Sequence, residues 1–134
     1  METQIERRSK IFLVDDAAPI RARLGDMLRK IGGVIVVGEA ESVSSAIEGI
    51  SRTRPQYVVL DIRLIDGSGI DLLRKLKPIH PEIVFIMLTN QSEPQYRKVC
   101  LANGANYFLD KSSEFEKITV LLQELHAHSH ANIS

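Results

Sequence analysis

Five short apolar runs, at residues 11–14, 34–37, 57–60, 83–88 and 107–109, constrain this chain more than any other feature. They are continuous rather than alternating, and rich in Val and Ile. A strand with one wet face alternates apolar with polar residues, whereas a strand buried on both faces has no reason to. The runs therefore predict strands of a parallel sheet covered on both sides.

The intervening segments carry helical periodicity. Ile20, Leu24, Met27, Leu28 and Ile31 share one helix face, with Pro19 near the first turn. Val43, Ala46, Ile47 and Ile50 form a second stripe after Ser42, a candidate N-cap. Ile70, Leu73 and Leu76 make a third, ended by Pro78, and Tyr96, Val99 and Cys100 a weaker fourth. Phe115, Ile118, Leu121, Leu122 and Leu125 are the fifth, where Ser113 and Glu116 have the spacing of a capping box. Strands alternating with helices imply right-handed crossovers. The expected fold class is α/β, a doubly wound (βα)5 domain.

A chain of 134 residues, 44% of them hydrophobic, suffices for one core. The expected organisation is an N-terminal extension over 1–9, one domain over 10–126 and a C-terminal tail over 127–134. Seventeen basic residues balance seventeen acidic ones, so no electrostatic footprint for nucleic acid or membrane emerges. Cys100 is the only cysteine, which suits a reducing compartment, and no apolar run could span a bilayer or serve as a leader. These features predict a soluble, cytoplasmic protein.

In such a sheet, ligands bind beyond the carboxyl ends of the strands. Asp15 and Asp16 follow the first run, Asp61 the third, Thr89 the fourth and, one residue beyond Asp110, Lys111 the fifth. Three carboxylates on neighbouring strand ends repel one another unless a cation sits among them. Hard oxygen ligands with room for water suit Mg²⁺. Lys111 can neutralise an anion brought there, the Thr89 hydroxyl can donate to it, and Asp61 can accept a phosphoryl group as an aspartyl phosphate.

The segments FLVDD, VVLDIRLIDGSGID, FIMLTN and GANYFLDKS, in that order, resemble the receiver domain of two-component response regulators over about residues 10–126. The resemblance supplies the strand order 2-1-3-4-5. It implies Asp61 as phosphoacceptor, with Thr89 and Lys111 binding phosphoryl oxygens. It implies Mg²⁺ held by Asp15, Asp16, Asp61 and the backbone carbonyl of Arg63. Thr89 and Phe108 would form the switch, and Arg63, Asn90 and Gln91 would tune rates. A sensor histidine kinase or phosphotransfer protein would be the donor. The output would be an unidentified downstream protein meeting the fourth helix, fifth strand and fifth helix, with room for a phosphorylation-dependent dimer. Direct nucleic-acid contact and membrane insertion are not expected.

The sequence departs from the family where Asn90 follows the threonine, where Ser112 replaces the proline after the lysine, and where Ile65, Asp66 and Gly67 occupy the loop after Asp61. None of these changes removes a reactive group. A phosphatase of the haloacid-dehalogenase type would need a second carboxylate two residues after Asp61, where Arg63 stands. A pseudo-receiver that binds without phosphorylation would not need the intact acidic set. A receiver cut from a longer transcriptional regulator is the alternative to a stand-alone switch, which the opening Met1 and complete-looking tail favour. Gly67 and Gly69 are expected in a turn. Arg21, Arg23, Arg29 and Lys30 are expected on a solvated helix face or a kinase-docking surface. His126, His128 and His130 lack the second ligand cluster of a closed metal site.

Overall fold

The computed structural model describes residues 8–131. Strands β1 (Ser9–Val14), β2 (Val34–Ala40), β3 (Tyr57–Leu60), β6 (Val84–Thr89) and β7 (Tyr107–Asp110) form one parallel sheet. Its order is β2-β1-β3-β6-β7, which is 2-1-3-4-5 for the five core strands. Helices α1 (Ala18–Arg29), α2 (Val43–Thr53), α3 (Gly69–Leu76), α4 (Pro94–Ala102) and α5 (Lys117–Ala131) connect or follow them. The doubly wound fold is thus the one that the apolar runs predict.

The runs are continuous because successive residues point into two different cores. Along β1, Ile11 and Leu13 join Leu24 and Leu28 of α1 and Ile118 and Leu122 of α5. Phe12 and Val14 join Ala46 and Ile50 of α2, Leu72 and Leu76 of α3 and Cys100 of α4. At roughly 2 kcal/mol for each fully buried large side chain, this two-layer burial dominates folding. Phe12 needs the most room. A Cβ on Gly38 of β2 or on Gly49 of α2 would come within 2.6 or 2.5 Å of its ring, so both neighbours are glycine. The register between β1 and β2 slips beside it, from Ile11↔Val36 to Phe12↔Gly38.

Pro19 lies in the first turn of α1, and the Ser42 hydroxyl caps α2 by accepting from the Ser45 N–H. Two local expectations change. The loop after Asp61 is a short antiparallel hairpin, β4 (Arg63–Leu64) and β5 (Gly67–Ser68), with Gly69 already in α3. Asp66 at its turn accepts from the N–H groups of Val43 and Ser44 and so ties the hairpin to α2. Helix α5 starts only at Lys117, because 111–116 form turns in which the Glu114 N–H donates to the Asp110 carbonyl at 2.7 Å. Glu116 therefore precedes the helix and does not complete a capping box.

Among the described residues, regular structure runs from Ser9 to Ala131. Most of the expected extension, residues 1–7, and the last three residues of the tail lie outside the described residues, as does the side chain of His130. His126 packs back on the sheet, its Nδ1 2.6 Å from the Ser9 hydroxyl. No helix among the described residues is long and apolar enough to cross a membrane.

Candidate functional site

Parallel strands present all their carboxyl ends at one edge, and the chain departs from β1 toward β2 on one side while β3 lies on the other. Asp15 and Asp61 follow the last paired residues of β1 and β3, Val14 and Leu60, and the Asp61 N–H donates to the Val14 carbonyl. Side-chain oxygens of Asp15, Asp16 and Asp61 lie within 4.8 Å of one another. Asp15 and Asp61 are buried and Asp16 is the more exposed member.

Lys111 closes the cluster from the far side of the sheet. Its Nζ donates to Asp15 Oδ2 at 2.6 Å and to Asp61 Oδ2 at 2.7 Å. Burial pushes the Asp15 carboxyl above its ordinary value, against the pull of Lys111 and of the Ala17 N–H on Oδ1. Burial pulls the Lys111 ammonium down, but its bonds to Asp15 and Asp61 outweigh this and its net shift is upward. Three clustered carboxylates face one ammonium here. The site is short of positive charge.

Thr89, the last residue of β6, is fully buried, and its Oγ1 accepts from the Gln91 N–H at 3.1 Å. A cleft of about 410 Å³ opens over the cluster, lined among others by Asp16, Asp61, Arg63, Thr89, Asn90, Gln91 and Lys111. Asp15 lies against it through Lys111. Phe108 does not line it: the ring is buried on the α2–α4 side, with the Arg97 guanidinium 5.8 Å from its centroid. The cleft thus gathers the residues proposed from the sequence for metal, phosphoryl group or rate except Asp15, which sits behind Lys111, and Phe108 stays outside it.

Two neighbours of the site escaped sequence reading. Gly69 passes so close to the Asp61 carbonyl that a Cβ would lie 2.1 Å from its oxygen. Arg21, expected on a solvated helix face or a kinase-docking surface, has only 12% of its side chain exposed, against 56% for Arg23. Its Nη1 donates to the Asp15 carbonyl at 2.7 Å. A glycine two residues after another in a loop, and an arginine one turn into a helix, carry no local signal of either contact.

The geometry defines a cation-ready acidic pocket at the switch point of a doubly wound sheet, with a lysine and a hydroxyl beside it. A family model for the response regulator receiver domain matches residues 11–123, and the chain belongs to that family. Phosphorylation on aspartate and Mg²⁺ binding are typical of it, and its members are regulatory domains of two-component systems.

Among curated proteins, the DNA-binding transcriptional activator DevR/DosR of Mycobacterium tuberculosis is 37% identical over 102 residues, covering 76% of this chain and 47% of that protein. A protein-glutamate methylesterase/protein-glutamine glutaminase of Carboxydothermus hydrogenoformans is 33% identical over 119 residues, covering 87% and 35%. The chain spans about half, or less, of the length of these relatives. Among solved structures, the response regulator domain of Thermotoga maritima CheB superposes with a TM-score of 0.78 at 25% identity, covering 90% of this chain and 95% of that one. A CheY-like receiver domain protein from Methanospirillum hungatei, 22% identical, has the same fold with a TM-score of 0.80, covering 92% and 98%.

Proposed function

We propose that this protein is a phosphorylation-dependent switch that accepts a phosphoryl group on Asp61 from a histidine kinase or phosphotransfer protein. The observation that carries this reading is the buried Lys111 ammonium shared by Asp15 and Asp61 in the wall of a cleft also lined by Asp16 and Thr89. In the transfer, an Asp61 carboxylate oxygen forms a bond to phosphorus as the bond from phosphorus to the donor imidazole nitrogen breaks. The imidazole leaves with that electron pair. Lys111 gives up its bond to Asp61 and meets a phosphoryl oxygen instead, and the Thr89 hydroxyl turns from Gln91 to donate to another.

The donor set fits a divalent cation: three clustered carboxylate oxygens short of positive charge, open to water on the Asp16 side. Asp15, Asp16, Asp61 and the Arg63 carbonyl would hold Mg²⁺. Such an ion offsets charge on the phosphoryl oxygens. Phe108 follows the movement of Thr89 inward, biasing two packings of α4 against β7. Asn90, Gln91 and Arg63 at the cleft rim set the rates of transfer and hydrolysis.

Output goes to a downstream protein, or to a second copy, through the face made by α4, β7 and α5, where Leu101, Tyr107 and Val120 are exposed. The domain works in the cytoplasm over residues 10–126, with 1–9 and 127–134 as extensions, and makes no nucleic-acid contact of its own. The length of the relatives favours a second reading, in which these residues are the receiver of a longer transcriptional regulator.

Incubation with acetyl phosphate and Mg²⁺, followed by electrophoresis on a phosphate-affinity gel, tests the central claim. The wild type is retarded and Asp61→Ala is not. An equally retarded Asp61→Ala band would refute Asp61 as acceptor.

A further inference from the structure

Asp15 is held at every polar atom. Its N–H donates to the Ala40 carbonyl at 3.0 Å, its Oδ1 accepts from Ala17, and its Oδ2 accepts from Lys111. The remaining group, the carbonyl, accepts from Arg21 Nη1. That carbonyl belongs to the peptide joining Asp15 to Asp16, so its direction fixes where the Asp16 backbone, and hence its carboxylate, can lie.

Arg21 is itself held. Its Nε donates to Glu39 Oε1 at 2.8 Å, so one planar guanidinium spans the Asp15 carbonyl and the penultimate residue of β2. A guanidinium holds such a two-point geometry, while an ammonium is a single point of charge. Glu39 also keeps the cation turned toward β2. Released, the same side chain could swing from the carbonyl into the acidic cluster and act there as a competing cation.

We propose that Arg21 and Glu39 form a positioning pair that sets the Asp15–Asp16 peptide and thereby the affinity of the acidic cluster for a divalent cation. The inference rests on the reading that the cluster binds Mg²⁺. Its distinctive consequence is one of sign. Deleting a cation beside an acidic site would tighten binding if charge alone mattered. Deleting a positioning group loosens it, and the partners behind metal ligands are typically worth about tenfold or more in affinity.

The test is a titration of the whole chain with Mg²⁺ alone, followed by calorimetry and by the Ala17 amide shift, with circular dichroism as the check on folding. Arg21→Ala is expected to weaken Mg²⁺ binding about tenfold. Equal or tighter binding would overturn the proposal. Glu39 is half exposed, so Glu39→Ala leaves the fold intact and decides the matter even where Arg21→Ala fails to fold. It should weaken binding severalfold, and unchanged affinity would also overturn the pair. Where both variants fold, the double variant should lose no more than Arg21→Ala alone, because the two act as one unit; additive losses would show two independent effects. A wild-type chain that ignores Mg²⁺ would sink the phosphoacceptor reading itself. Wild-type binding with unaffected variants sinks only the positioning pair.

Discussion

The backbone N–H of Lys111 donates to the carbonyl of Thr89 at 2.8 Å, one step beyond the last paired residues of β6 and β7. The bond fixes where the lysine leaves the sheet. From there its side chain reaches past the end of β6 to Asp61 after β3 and to Asp15 after β1. One ammonium therefore ties together the ends of strands that are far apart in sequence.

Removing that ammonium should cost stability. Lys111 and both carboxylates are at least nine-tenths buried, and breaking a buried pair from one side leaves uncompensated charge. Lys111→Ala is expected to lose about 3 kcal/mol in urea unfolding with a chelator present. Added Mg²⁺ should restore part of the loss, since a ligand that binds only the folded state stabilises it. A variant as stable as the wild type in chelator would show that Lys111 is not the counter-charge.

Gly69 gives a second test. Its N–H donates to the Ile62 carbonyl at 2.6 Å while its Cα approaches the Asp61 carbonyl. Backbone, unlike the end of a flexible side chain, cannot step aside cheaply. Gly69→Ala should cost about 2 kcal/mol of stability and displace the Asp61 carbonyl. Equilibrium unfolding measures the first, and the Ile62 amide shift reports the second. Gly67→Ala is the control: its Cβ would meet only Val43 Cγ2 at an ordinary 3.4 Å.

What the sequence made legible, and what it hid, divides along a physical line. The strands were readable because two-sided burial leaves an uninterrupted apolar run, as in Ile11, Phe12, Leu13 and Val14. The site was readable because strand ends in a parallel sheet converge on one edge, so position after a run is position in the site. The β4–β5 hairpin was not readable, since Asp66 bonds to α2 and the Ile65 N–H donates to the Glu41 carbonyl, both far along the chain. The start of α5 is hidden for a related reason: Ser113 and Glu116 have capping-box spacing, but Asp110 and Glu114 bond to each other across that turn. Arg21 looks like any exposed helical arginine until β2 brings Glu39 beside it.

The Asp66 contact makes a pH prediction. Its carboxyl is held below the ordinary aspartate value, first by the Val43 N–H and further by Ser44. Because the folded-state value is depressed, the anchor contributes fully above the unfolded-state value. It is lost as pH falls through the lower, folded one. The Val43 amide shift should therefore titrate with a midpoint below 3.8, the ordinary aspartate value. In Asp66→Asn this transition should vanish, with faster hydrogen exchange at Val43 and Ser44. A wild-type midpoint at or above the ordinary value would show that the hairpin is not anchored this way.

Cys100 offers a probe of α4 that needs no added label site. The thiol is fully buried among residues that include Ala105 and Phe108, and burial pushes it up to about 11. At pH 8 only about one thiol in a thousand would be ionised even if reagent could reach it. Iodoacetamide should therefore label the native protein far more slowly than the urea-unfolded chain. Labelling must wait for α4 to lift from the sheet, so its rate measures the opening of the helix next to Phe108. Native labelling as fast as that of the unfolded chain would mean that α4 does not hold Cys100 against the sheet in solution, and the packing that joins Phe108 to α4 would have to be abandoned.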